Sequence, residues 1–514
     1  MDDNASATRK YAEKEAFVTG HDGTTPIEIF LLCLAVPIGL RLHPKILSCV
    51  PDSCTTNKSR YWIEIAIEFA VLIFPNLLLQ TSYITGPSAS VLAMTILSSI
   101  SSLQQRTANI SHNQSKNNNK TNIMMNNSLR RPTFLTVHRA AVYIQTAIAI
   151  LAVDFPIFPR RYCKTEQNGY GWMDLGAASF VIIAGWSSSS SDSSSVTAPF
   201  VDSIKKAAIK CTPLLLLGII RLITIKGVEY QEHVSEYGVH WNFFFTLCCL
   251  EGGMVLWKYV KCLPFFTKMS YYYCDGALAC ILLIPYQLYL TFGGGQDFIE
   301  NGPRHCSNKD FMKFSSMSLS LCRAFVANRE GILGTIGYFS LRLLSESMAS
   351  YCVWTNAEPN DLSNSSRQRP SVTTSAHNYN IRNRRLFIVS VAFWIAHIFV
   401  TIGLDVPTSR RSTNVSFILW SLAQNASVLF LIHIAMTSKS GQSLPAPRLF
   451  DSINRFGLPV FFVSNILTGL VNFLVDTMHS SNEKAMLVLS MYLIAVCGLA
   501  LALEESFPTK EKRR

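Results

Sequence analysis

Charged residues are scarce in this chain. Asp, Glu, Lys and Arg make up only 15% of its 514 residues, while 49% are hydrophobic and the mean hydropathy is +0.24. Such a balance excludes a disordered chain and argues against an ordinary soluble domain. Paired cysteines are lacking as well. The fourteen cysteines are scattered, with no CxxC and no Cys/His metal spacing. Neither a zinc site nor a disulfide framework is therefore expected. The first residues, MDDNASATRKYAEKEAFVTGHDG, are polar and acidic and do not read as a cleavable signal peptide. No internal repeat is present, which weakens the case for an inverted-repeat transporter. The net charge of +12 comes without a basic aromatic patch that could track a phosphate backbone, so nucleic acid is excluded as a partner.

What the chain has instead is long apolar runs. A bilayer takes about 20 apolar residues per helix, and lipid satisfies no backbone hydrogen bond, so such runs must be helical. The expected fold is all-α and polytopic, a bundle of about 13 transmembrane helices. The runs begin near Ile27–Leu42, Trp62–Ile84, Ala89–Leu103, Phe134–Val153 and Gly171–Trp186. They continue near Ala207–Ile225, Val239–Val260, Ala277–Phe292 and Ile332–Trp354, and end with Leu386–Leu404, Asn414–Met436, Leu458–Val475 and Ala485–Leu503. The third is short and Ser-rich, and the sixth carries Lys210 and Pro213. Around this membrane domain, residues 27–504, lie a tail at 1–26 and a basic tail at 505–514. Three low-complexity loops interrupt it, at 104–131, 187–204 and 355–384.

Lys and Arg concentrate in the loops on the side of the C-terminus, at Lys45, Lys58 and Arg60, Arg130 and Arg131, Lys258 and Lys261, and Arg384 and Arg385. The positive-inside rule makes that side cytosolic and the N-terminus exoplasmic. The low-complexity loops then face the cytosol. The loops with distinctive residues face the other way, and specific loops on a rigid scaffold are where function is sought.

One of these is DFPIFPRRYCKTEQNGYGWMDLG, Asp154–Gly176. Pro156 and Pro159 stop the preceding helix, and Gly169 and Gly171 turn the chain into the next. Asp154 and Lys164 could face one another there. A carboxylate beside an ammonium can take a proton from a hydroxyl and stabilise an oxyanion. Arg160 and Arg161 could meet phosphate. On composition alone, a structural ion pair with interfacial snorkelling is the favoured reading. Asp174, near the start of an apolar run, needs a partner or a cavity. Glu251, the pair Glu64 and Glu68, His138 with Arg139, and Arg342 with Glu346 pose the same question. His240 and Asn242 stand at the mouth of the seventh run, and His433 stands alone in FLIHIAM.

Taken together, KEAFVTGHDG, the DFPIFPRRYCKTE run with MDLG, RLITIKGVEYQEHVSEYGVHWNFFFTL, ANREGI, RRSTNVSFILW and NILTGLVN resemble a known family. It is the inositol acyltransferases of glycosylphosphatidylinositol (GPI) anchor synthesis, which includes the GPI-anchored wall transfer protein of fungi and phosphatidylinositol-glycan class W of animals. The resemblance covers nearly the full length, apart from the Asn- and Ser-rich insertions. It implies an enzyme of the endoplasmic reticulum membrane that transfers a fatty acyl group, typically palmitoyl, from acyl-CoA to the inositol ring of glucosaminyl-phosphatidylinositol. Acyl-CoA is then a co-substrate, and neither cofactor nor metal is expected. The resemblance also implies that Asp154 and Lys164 are catalytic. Arg160, Arg161, Glu166, Asp174, His240, Asn242 and Arg329 are the expected substrate-binding residues. The tail KEKRR looks like a dilysine-type retrieval signal, which requires a cytosolic C-terminus. Two rival readings are a membrane-bound O-acyltransferase of another class with His433 catalytic, and a lipid transporter or scramblase.

Overall fold

The computed structural model describes residues 17, 20–50, 57–81, 132–188, 200–227, 234–261, 271–304, 319–354, 372–438 and 443–508. Among the described residues the chain is helical and has no strand, only isolated bridges. Among the described residues, nine helices are long and apolar enough to cross a membrane. Three more expected spans are helical: Trp172–Ser188, which is apolar but short, and Phe200–Gly227 and Arg329–Ala349, which are less apolar. The expected run Ala89–Leu103 lies outside the described residues, as do most of the three low-complexity loops and the end of the basic tail.

The edges of two loops differ from expectation. The helix Val372–Ile398 begins inside the stretch read as loop 355–384, and Phe200–Gly227 begins inside 187–204. Once an apolar segment has nucleated a helix, polar residues extend it cheaply until a breaker intervenes. Cys322 is disulfide-bonded, a cross-link that the scattered cysteines do not announce, while the other described cysteines are thiols.

The chain forms two compact units. The first comprises Met1–Thr24, Cys163–Gln368 and Arg384–Ala426, and the second Thr25–Tyr162, Arg369–Asn383 and Ser427–Arg514. In the first unit the helix Arg329–Ala349 packs against Trp172–Ser188, Phe243–Lys261 and Tyr271–Phe292. Its Gly331, Gly334 and Gly337 recur every third residue and let neighbours approach closely. Its charges are paired. Arg342 donates to Glu346 at 3.1 Å and to Glu251 at 3.2 Å, which links two helices. Lys261 and Asp275, both buried, pair at 2.7 Å. These five charges are thus mutual partners, as their cost in lipid requires.

In the second unit the helix Thr133–Ala152 is central and packs against Phe74–Thr81, Arg448–Arg455, Gly457–Leu474 and Asn482–Ser506. Its buried Ala140, Ala141, Ala147 and Ala149 allow close approach. Glu64 pairs with Arg60 at 3.2 Å. Glu68 accepts from the backbone N–H groups of Arg448 and Leu449, at 2.9 and 2.7 Å, and so caps the N-terminus of Arg448–Arg455. His433 is buried between the rings of Phe134 and Tyr379.

Candidate active site

The chain passes from the second unit to the first between Tyr162 and Cys163, in the middle of the charged loop. Asp154 therefore belongs to one unit and Lys164 to the other.

Asp154 is buried just beyond the end of Thr133–Ala152, where its N–H donates to the Leu151 carbonyl at 3.2 Å. Its Oδ2 accepts from Asn472 Nδ2 at 2.7 Å. Arg160 braces the loop around it. The guanidinium donates to the carbonyls of Val153 and Phe155, both at 2.9 Å, and of Phe158 at 2.8 and 3.0 Å. The two prolines break the regular helical ladder here, leaving only isolated turn bonds, and Arg160 adds donors to the exposed carbonyls. Arg161 lies outward and meets Glu28 at 3.0 Å, which also accepts from the Tyr162 hydroxyl at 2.8 Å.

In the first unit, Lys164 Nζ lies 2.5 Å from Glu236 Oε1. The other oxygen of Glu236 faces Arg410 at 3.6 Å, and Arg410 Nε lies 2.7 Å from Asp174 Oδ1. Asp174 Oδ2 accepts from the Thr165 N–H at 3.1 Å, the Thr165 hydroxyl at 2.8 Å and the Gly171 N–H at 3.1 Å. A chain of alternating charge thus runs from Lys164 back to its own neighbour, Thr165. Burial would pull the Arg410 guanidinium down, but Glu236 and then Asp174 hold it above its ordinary value, so it stays charged.

Segments far apart in sequence dock on this loop. Glu166 donates its N–H to the His21 carbonyl at 3.2 Å, and its side chain is half-buried. Gly169 donates to the Thr408 carbonyl at 2.8 Å. With a φ of +131°, and with a Cβ that would stand 2.1 Å from the Asp22 carbonyl oxygen, position 169 accepts only glycine. The Tyr170 hydroxyl accepts from Thr408 at 3.1 Å and lies 3.0 Å from His397 Nε2.

The remaining expected binding residues are embedded in backbone. His240 is exposed, and its N–H donates to Asn328 Oδ1 at 2.7 Å. Asn242 caps Phe243–Lys261, accepting from the N–H groups of Phe244 and Phe245 at 3.0 and 3.3 Å. Arg329 is buried and donates to the carbonyls of Ile299 and Pro303 at 3.2 and 3.0 Å. Beside it, Glu330 receives Arg304 at 2.8 Å and Arg411 at 3.2 Å.

Lys164 and Asp174 are thus brought into one charge network, Glu166 and His240 are held through their backbone N–H groups, and Arg161, Asn242 and Arg329 have separate partners. Sequence reasoning missed Glu236, Arg410 and Asn472. The Arg410–Arg411 doublet in an expected exoplasmic loop, and a buried Asp174 in need of a cation, were the available signals. No group of three or more His, Cys, Asp or Glu able to hold a metal occurs among the described residues.

Membrane-length helices that carry a charged loop assembly define a multi-pass membrane protein. Over residues 10–503 the chain matches the family model described as GWT1. It is 30% identical to GPI-anchored wall transfer protein 1 of Aspergillus oryzae over 521 residues, 96% of this chain and 98% of that protein. To the protein of the same name from Yarrowia lipolytica it is 33% identical over 384 residues, 72% of each. The chain belongs to the GWT1 family.

Proposed function

We propose that this protein acts in GPI-anchor biosynthesis as an acyl-CoA-dependent O-acyltransferase. It moves a fatty acyl group, palmitoyl in the first instance, from acyl-CoA to the inositol ring of glucosaminyl-phosphatidylinositol. The observation that carries this reading is the alignment of 96% of the chain with a relative named GPI-anchored wall transfer protein 1.

In the reaction, an inositol hydroxyl is a poor nucleophile until a base accepts its proton. Asp154 is assigned that role. As the hydroxyl oxygen bonds to the thioester carbonyl carbon, the carbonyl oxygen gains negative charge, and Lys164 is assigned to meet it. The C–S bond then breaks, the ester forms, and the coenzyme A thiolate leaves with the proton that Asp154 had taken. The ion pair at 2.5 Å with Glu236 supports this assignment, because it directs the Lys164 ammonium. Arg160, with its donors on three carbonyls, acts as the brace of the Asp154 loop.

The proposed location is the endoplasmic reticulum membrane, with the N-terminus luminal and the C-terminus cytosolic. Cys322 supports a luminal face for the Leu319–Ala327 helix, because disulfides persist in that compartment and not in the cytosol.

The test is acyl transfer by purified protein from palmitoyl-CoA to glucosaminyl-phosphatidylinositol, with the product identified by mass. Asp154→Asn keeps the shape of the carboxylate and loses its basicity. Transfer should fall by about 10²-fold or more while the protein still inserts and binds acyl-CoA. Wild-type transfer by this variant sinks the assignment of the base, and no transfer by the wild-type protein sinks the proposed activity.

A further inference from the structure

We propose that Asn472 is the positioning residue of the Asp154 carboxylate, itself fixed by Thr477. The proposal rests on the reading of Asp154 as the base.

Four asparagines in or beside the helices of this protein turn their amide onto the backbone of their own turn. Asn76 donates to the Leu72 carbonyl, Asn328 to Ala324, Asn425 to Ser421 and Asn465 to Phe461, each four residues back and at 2.7 to 2.9 Å. Asn472 does not. From the last turn of Gly457–Leu474, its Nδ2 donates to Asp154 Oδ2 at 2.7 Å, across 318 residues of chain. Which end of an amide faces which partner is settled by its other hydrogen bond. Here the Thr477 hydroxyl donates to Asn472 Oδ1 at 3.3 Å, and Thr477 is itself buried. The amide oxygen is thereby occupied, and the NH₂ group must face the carboxylate.

The backbone of Asp154 is held with equal care. Arg160 grips the carbonyls of Val153 and Phe155, the residues on either side of it. Position is thus fixed through the backbone by Arg160, and side-chain direction by Asn472. Asn472 itself is neutral, and this has a chemical reason. An arginine or lysine in place of Asn472 would also orient the carboxylate, but it would stabilise the charged form so strongly that basicity is lost. An amide orients with one hydrogen bond and leaves the carboxylate able to accept a proton. This repeats the logic of a base oriented by a third group.

The experiment is a double-mutant cycle on the full-length protein in the same palmitoyl-CoA assay, with residual rates read at high enzyme concentration. Asn472→Leu removes donor and acceptor at similar volume. It should lower kcat by about 10- to 10²-fold, the effect of one hydrogen bond to a charged group. The KM for palmitoyl-CoA should be unchanged, whatever the lost hydrogen bonds cost in unfolding temperature. In the Asp154→Asn background, Asn472→Leu should cost nothing more in kcat, since the two act as one unit. A merely structural asparagine would reduce activity by the same factor in both backgrounds, and that result overturns the proposal. If Asn472→Leu does not fold, the near-isosteric Asn472→Asp decides, because it keeps the shape and loses the donor. Wild-type kcat in that variant also overturns the proposal. An inactive Asp154→Asn beside a fully active Asn472→Leu removes Asn472 alone, whereas a fully active Asp154→Asn removes the base assignment with it.

Discussion

Lys164 and Arg410 stand in one charge network, yet their surroundings assign them different work. The Lys164 side chain is 37% exposed, and that of Arg410 is 6% exposed. An exposed ion pair contributes at most about 1 kcal/mol. Removing one member of a buried pair costs about 3–5 kcal/mol, because the partner charge stays buried and uncompensated. Lys164→Ala should therefore leave thermal unfolding nearly unchanged, since Glu236 keeps Arg410, and should abolish turnover. Lys164→Arg should restore only part of it, because a guanidinium is larger and directs its donors differently. Arg410→Ala strands Asp174 and should lower the unfolding temperature by many degrees before any assay is run. Thermal melts of the purified variants in detergent decide between the two roles. Equal melting losses for Lys164→Ala and Arg410→Ala would make Lys164 a structural ion-pair member, and the assignment of its role would fail.

Helices are held close in this protein by residues that contribute no side chain. At Gly337 a Cβ would stand 2.2 Å from the Thr413 carbonyl oxygen, and at Gly331 it would stand 2.2 Å from the Trp241 ring. Gly252, in the middle of Phe243–Lys261, has nothing within 4 Å. Gly337→Ala should then cost about 1–3 kcal/mol through overpacking against backbone that cannot yield. Gly252→Ala should be neutral, or stabilising by about 0.5–1 kcal/mol through helix propensity. Unfolding by temperature or denaturant measures both, and the packing account fails if Gly337→Ala is as stable as Gly252→Ala. At this scale the sequence was readable in part. Apolar length announced the helices, because lipid permits nothing else. It did not announce their polar ends, as at Val372–Ile398, since extension depends on the absence of a breaker and not on apolarity. The docking of His21, Thr408 and Glu236 around one loop was unreadable too. Local pattern does not reveal which segments meet when more than two hundred residues separate Asp174 from Arg410. The need for a partner at Asp174 was legible, whereas the identity of that partner was not.

The orientation of the whole chain turns on whether the number of crossings is odd. The nine clear spans among the described residues give an odd count, and adding the three further helices and the expected run Ala89–Leu103 keeps it odd. Both counts put the chain ends on opposite sides, whereas including only one or three of those four would not. Glycosylation reads the difference directly, because only luminal sequons are modified. Asn414, in the sequon NVS, was the expected luminal marker, but its side chain is buried. Its amide donates to the Pro407 carbonyl, and its oxygen accepts from the Phe417 N–H at the start of Val415–Ala435. Once folded it cannot carry a glycan, so an unmodified Asn414 is uninformative about side. The sequon at Asn4, in the N-terminal tail, carries the test instead. In microsomes the protein should gain one glycan that Asn4→Gln removes. Asn109, Asn113, Asn119 and Asn126, on the expected cytosolic side, should carry none. A glycan on any of these four, with Asn4 bare, would reverse the orientation. Asp154, Lys164 and Cys322 would then be placed on the cytosolic side, where the Cys322 disulfide would not persist.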